Sequence, residues 1–240
     1  LVYIIAEAGL AHLGSVRRAK ELIEKAYICG ADAVKFQYYD PYRIFPKKEA
    51  KKREKMMLSM KQYNNLYEWK IKKGYKIDFG LSIFDFDLIP QFDFLKIGSR
   101  AIYITEAILM FVDKKIPIFI STGYAFPKKM SYLLKQKNVT FLACDAEYPS
   151  FYMVANEILK LKKKYGKAGY SSHLIGYDDC LVAVKMGACV IEKHFCLKRK
   201  NLVFDKEHSL EPNEFAQMVK KIRVEEQILK RIKRSVYSNK

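Results

Sequence analysis

No stretch of about 18 uncharged apolar residues occurs in the chain, which argues against a membrane-spanning helix. The opening Leu1-Val2-Tyr3-Ile4-Ile5 lacks a basic leader and is soon interrupted by Glu7, so it does not read as a secretion signal. Cysteines are few and scattered: Cys29, Cys144, Cys180, Cys189 and Cys196 make an odd set with no CxxC pair. A disulfide framework is therefore not expected, and free thiols in a reducing cytoplasm are. Nothing in the sequence has the spacing of a four-ligand structural zinc site. Linkers and low-complexity segments are also missing, so residues 1–240 read as one domain. Half of the residues are hydrophobic, enough to build a large core and to exclude a disordered chain.

Acidic residues are in the minority, with 26 Asp and Glu against 44 Lys and Arg, a net charge of +18. Half of that excess lies in residues 43–76, where twelve basic residues face only Glu49, Glu54 and Glu68. The segment also has a helical pattern, and a solvated basic face accounts for it better than a nucleic-acid surface does. No RNA-binding aromatic motif, basic zipper or zinc finger accompanies it. An anionic small-molecule partner suits the charge better.

Short β-rich apolar runs alternate with helical patterns eight times. The strands are expected at 2–8, 32–37, 78–84, 94–99, 117–123, 139–145, 167–173 and 189–195. Helices are expected at 15–29, within 49–73, and at 105–114, 128–137, 152–164, 177–186 and 212–234, with only a short turn or helix after the third strand. Eight such units in 240 residues predict an α/β fold, a (β/α)8 TIM barrel. A doubly wound sheet would favour a glycine-rich phosphate turn after the first strand, where this chain has Glu7-Ala8-Gly9-Leu10.

Barrel active sites gather at the C-terminal strand ends, and here every end is polar. In order they carry Glu7; Lys35 and Gln37; Ser82; Lys96 and Ser99; Ser121 and Thr122; Asp145 with Tyr148 beyond; Ser171, Ser172 and His173; and Glu192, Lys193 and His194. Residues two apart share a strand face, so Lys35 with Gln37, Ser171 with His173, and Glu192 with His194 point together, while Lys193 points outward. Two lysines buried at the mouth would need negative charge, which a ligand bearing phosphate and carboxylate supplies. His173 and His194 lie on neighbouring strands and could share a divalent transition metal. His12 and His208 fall in loops near the same mouth.

The strings themselves are familiar. Ala6-Glu7-Ala8-Gly9 with His12 and Gly14, Gly30 through Gln37, and Lys96-Ile97-Gly98-Ser99 resemble the sialic acid synthase family. So do Ser121-Thr122-Gly123, Gly169 through His173, Ile191 through Phe195, and Ser209-Leu210-Glu211-Pro212, all in family order. The resemblance implies condensation of phosphoenolpyruvate with an N-acyl aminosugar, N-acetylmannosamine-like or its phosphate, to a nine-carbon 2-keto acid. It implies a divalent ion on His173 and His194, manganese first, magnesium or cobalt otherwise. Phosphoenolpyruvate would be bound by Lys35, Ser82, Lys96, Ser99, Ser121 and Ser171. Glu7, Gln37, Tyr148 and Asp205 would meet the sugar or the reacting centre, with Glu192 orienting the metal ligands. A homodimer is the implied assembly.

The chain also departs from the family pattern. Arg100 and Ala101 follow the Lys-Ile-Gly-Ser string where an acidic residue is usual. Ala11, Ser172 and Ala146 replace polar neighbours of His12, His173 and Tyr148, and Leu202-Val203-Phe204 replaces a Pro-Gly-Pro before Asp205. No C-terminal antifreeze-like domain follows the last helix within these 240 residues. A non-catalytic barrel that binds ligand or a partner synthase is the alternative these differences raise.

Overall fold

The computed structural model describes residues 1–83, 89–99, 111–112, 114–123 and 136–237. Its eight parallel strands close into a barrel in chain order: β1 (Tyr3–Gly9), β2 (Ala33–Tyr38), β3 (Asp78–Ile83), β4 (Phe94–Ile97), β5 (Ile118–Ser121), β6 (Val139–Ala143), β7 (Gly169–Ser172) and β8 (Val190–His194). The described helices are α1 (Val16–Ile28), α2 (Pro41–Ile44), α3 (Lys47–Glu54), α4 (Met60–Lys72), α5 (Ala155–Tyr165), α6 (Asp178–Lys185) and α7 (Pro212–Tyr237). The expected (β/α)8 architecture is therefore present.

Each strand alternates between two environments. Outward residues such as Ile4, Val34, Phe79, Leu95, Ile120, Phe141, Tyr170 and Ile191 join the helices in one large core. Inward residues Ile5, Ala33, Phe94, Phe119, Leu142 and Val190 form a separate plug with Tyr3. One pleat further along, the inward positions become Glu7, Lys35, Ser82, Lys96, Ser121, Ser171 and Glu192. The period of two thus lays a polar floor directly on an apolar plug.

Helix α1 shows why the boundaries fall where they do. The Ser15 side chain accepts from Arg18 N–H, and Ala19, Leu22, Ile23 and Ala26 supply the buried stripe at helical spacing. The helical material expected within 49–73 takes the form of two helices, α3 and α4, preceded by the short α2. Met56 and Leu58 turn inward between them, and Ser59 restarts the helix in a capping box with Gln62. The strands expected to reach Ser99, Gly123, Asp145 and His173 end two residues or one residue earlier, where the chain leaves the ladder to line the mouth. Phe111 and Val112 are helical, while the rest of the helix expected at 105–114, apart from a turn at Lys114, and the helix expected at 128–137, up to residue 135, lie outside the described residues.

Candidate active site

The mouth of the barrel opens into a cavity of about 940 Å³ lined by residues from seven of the strand ends and from the loop after β8. Its floor is a quartet of buried charges: Glu7, Lys35, Lys96 and Glu192, each no more than 5% exposed. Lys35 Nζ contacts the Glu7 carboxylate, donates to Ser82 Oγ at 2.5 Å and lies 3.8 Å from Glu192. Lys96 Nζ donates to Ser121 Oγ at 2.7 Å and lies 3.6 Å from Glu192. Glu192 also accepts from Ser171 Oγ at 2.7 Å, and Glu7 accepts from Gln37 Nε2 at 3.0 Å. The lysines' negative partners are thus two carboxylates of the protein's own, and Glu192 bridges the lysines rather than orienting the histidines.

Burial pushes the Glu7 carboxyl up, against the opposing pull of Lys35. For Glu192 the same burial is outweighed by Lys96, Lys35 and the Ser171 hydroxyl, which hold its carboxyl low. Two carboxyls in one pocket thereby diverge, with Glu7 the one suited to exchanging a proton.

Above the floor the imidazoles of His173, His194 and His208 face one another. Ring centroids are 5.6 Å apart for His173 and His194, 4.4 Å for His194 and His208, and 6.0 Å for His173 and His208. His173 Nδ1 is engaged with the Asp145 carbonyl at 2.7 Å, which leaves Nε2 directed to the cluster. Burial pushes His173 down to about 4 and His194 well below its ordinary value, so both rings are neutral near pH 7, as metal ligation requires. Among the described residues, His194, Asp205 and His208 each offer a ligand atom, all within 4.8 Å of one another. Two donors bonded at about 2.0–2.2 Å to one ion are at most about 4.4 Å apart, so a small inward shift of these side chains would let the set hold a divalent first-row metal.

The remaining expected residues are close by. Ser99 Oγ lies 3.1 Å from Cys144 Sγ and accepts from Gly123 N–H at 3.2 Å, on the cavity wall. Tyr148 packs over His173 at 4.0 Å between centroids, with its planes 33° apart. Glu7, Gln37, Asp205, Lys35, Ser82, Lys96, Ser99, Ser121, Tyr148, Ser171, His173 and His194 all line the one cavity. Ala101 lies outside the described residues. His12 does not line the cavity; it is fully buried within the β1–α1 loop, with its ring against Tyr63.

Sequence reasoning gave no role to His208, though an Asp-x-x-His spacing just beyond a strand-end histidine signals a clustered donor set. It also missed the outer wall. The Arg53 guanidinium is sandwiched between Phe45 at 4.1 Å and Phe204 at 4.0 Å, clamping the loop after β8 onto α3. Within the apolar Leu202-Val203-Phe204, it is Phe204 that supplies the packing surface for that arginine.

Comparison with known proteins places this architecture. Residues 22–234 match the NeuB family. The chain is 32% identical over 241 residues to an uncharacterized protein of Methanocaldococcus jannaschii, covering 95% of this chain and 72% of that one. It is 32% identical over 252 residues to the N,N'-diacetyllegionaminic acid synthase of Campylobacter jejuni, covering 92% and 75%. A crystal structure of N-acetylneuraminic acid synthetase from Leptospira borgpetersenii, in complex with citrate, matches with a TM-score of 0.85 at 31% identity, over 95% of this chain and 85% of that one. With its barrel, its strand-end motifs and a family match over most of its length, the chain belongs to the NeuB family.

Proposed function

We propose that the chain joins phosphoenolpyruvate, an N-acyl aminosugar of the N-acetylmannosamine type and water into a nine-carbon 2-keto sugar acid, releasing inorganic phosphate. The observation that carries this reading is the pair of buried lysines, Lys35 and Lys96, set with serine hydroxyls beside the neutral His173 and His194 in one cavity. A cavity of about 940 Å³ has room for both substrates at once. The related Campylobacter and Leptospira proteins are synthases of legionaminic and neuraminic acids, which supports the substrate class.

In this reading Lys35, Lys96, Ser82, Ser99, Ser121 and Ser171 hold the carboxylate and phosphate of phosphoenolpyruvate. An arriving polyanion competes with Glu7 and Glu192 for the lysines, and Glu7, whose carboxyl is already pushed up, exchanges protons at the reacting centre. Gln37 fixes the Glu7 carboxylate by its 3.0 Å hydrogen bond. Tyr148 and Asp205 border the sugar side. Carbon 3 of the enol phosphate bonds to the sugar aldehyde carbon, leaving carbon 2 cation-like. Water adds there and gives one proton to Glu7, which passes it to the aldehyde-derived oxygen to leave a hydroxyl, and collapse of the adduct to the ketone breaks the carbon 2–phosphate oxygen bond and expels phosphate with the second proton. The floor keeps the two reacting carbons in line, and its fixed charges face the charge that develops. A divalent ion, manganese in the first instance, would be held by His173 and His194 and would polarise the aldehyde oxygen.

The test is release of phosphate from phosphoenolpyruvate with manganese and a panel of N-acyl mannosamines, free and 6-phosphorylated. Release in any arm identifies the acceptor. Calorimetric binding of phosphoenolpyruvate without release would replace this reading with the non-catalytic barrel, and absence of both would overturn it.

A further inference from the structure

His208 presents an unusual situation for a histidine. It is 2% exposed, yet neither ring nitrogen has a hydrogen-bond partner. A neutral imidazole carries one donor and one acceptor, and burying both without partners costs free energy that folded proteins normally avoid. The nearest polar group is Asp205, whose carboxylate oxygens lie 3.6 Å from His208 Nε2 and 3.9 Å from His194 Nδ1. Both separations are too long for a hydrogen bond. They remain inside the roughly 4.4 Å that can separate two donors on one ion bonded at about 2.0–2.2 Å.

The loop that carries these groups is tied down at both ends. Asp205 adopts a left-handed conformation, φ +59°, that turns the chain back, and its carbonyl accepts from Ser209 Oγ at 2.6 Å. Leu210 N–H donates to the His194 carbonyl at 2.8 Å, and Cys196 N–H donates to the Leu210 carbonyl at 3.0 Å. The clamp of Phe204 on Arg53 holds the remaining side. Asp205 and His208 are therefore fixed against β8 before any ion arrives, which lowers the ordering cost of ligation.

From this arrangement we propose that His208 and Asp205 are additional protein ligands to the divalent ion, joining His173 and His194 from the loop that follows β8. His173, anchored through Nδ1 to the Asp145 carbonyl, faces this set from β7. The ion itself is taken over from the functional reading above, while the identity of its ligands is argued here from the orphaned ring and the donor spacing. With one carboxylate and three imidazoles in place, the protein binds its ion without substrate.

The experiment strips the intact chain with a chelator and titrates it with manganese(II), following loss of the free-ion signal in electron paramagnetic resonance. Wild type is compared with His208→Ala, and with His208→Gln should the smaller side chain fail to fold. We expect binding at least about tenfold weaker in the variant, the lower end of what even an outer partner of a metal ligand is worth. Pulsed measurements should show one coordinated imidazole nitrogen fewer. Phosphoenolpyruvate binding by the metal-free protein should be unchanged, since its lysines stand apart from this ring. An unaltered manganese affinity and imidazole count would overturn the proposal while leaving the functional reading intact. Loss of phosphoenolpyruvate binding and turnover in wild type, with manganese still bound through His208, would do the reverse.

Discussion

His12 shows how one side chain carries a conditional share of the stability. Gly14 N–H donates to its Nδ1 at 3.1 Å, which puts the ring proton on Nε2. That proton reaches Tyr63 Oη at 3.1 Å, and the Tyr63 hydroxyl donates to the Gln37 carbonyl at 3.0 Å. The chain of bonds fits only the neutral ring, and burial pushes His12 down to about 4. The unfolded ring titrates near about 6.5, so on acidification the unfolded chain takes up the proton first. Stability from this group is complete above about pH 6.5 and is lost as pH falls toward 4, by on the order of 3 kcal/mol. Urea midpoints measured between about pH 7 and 4.5 should therefore fall more steeply for wild type than for His12→Gln, whose amide keeps the Nε2 donor without titrating. Equal slopes would remove His12 from this role. At this scale the strand-end residues were legible because position on a β/α unit already says which way a side chain faces. Partners were not legible. Glu192 on β8 bridges two lysines from β2 and β4, neither of which pairs with β8, and His208 depends on how a loop folds back, none of which local pattern encodes.

All eight strands were readable as short β-rich apolar runs, and so was helical material within 49–73, but neither its division into α3 and α4 nor the separate α2 was. A run rich in Lys and Glu looks helical throughout, and only the inward turn of Met56 and Leu58 divides it. The strands also show how an apolar layer is sized. Phe94 and Phe119 meet edge to face at 5.3 Å between centroids, and Tyr3 stacks on Phe119 at 5.6 Å. Their bulk inside the barrel requires small neighbours, and Gly80 on β3 is one. A Cβ there would meet the Phe94 ring at 2.0–2.4 Å, with the ring confined by Phe119 and Tyr3. Gly80→Ala should therefore destabilise by about 1–3 kcal/mol through overpacking, read as a lower thermal or urea midpoint. Adding Phe94→Leu should recover part of that loss, because the two positions share one space. Additive losses in the double variant would show that the strain lies elsewhere.

At the scale of the whole molecule, charge is organised at two depths around one opening. The inner pair, Lys35 and Lys96, is desolvated and matched by Glu7 and Glu192. The outer cavity is lined by Arg43, Arg53 and Lys206 with Asp205 and Glu207, on a chain of net charge +18. These two sets respond differently to salt. Raising ionic strength from about 0.01 M to about 1 M shortens the screening length from about 30 Å to about 3 Å, which removes attraction from exposed charges and leaves buried pairs nearly untouched. Affinity for phosphoenolpyruvate should therefore fall about tenfold or more across that range if the global field and rim gather the anion, then level off at the strength of the inner pair. The catalytic rate at saturation should stay constant over the same range, since the positioned lysines and hydroxyls act inside the screened boundary. Lys206→Gln, on the exposed rim, should flatten the salt dependence slightly without altering the saturated rate. Affinity indifferent to salt would assign recognition wholly to the buried quartet, and the basic excess would then be a property of the solvated helix faces alone.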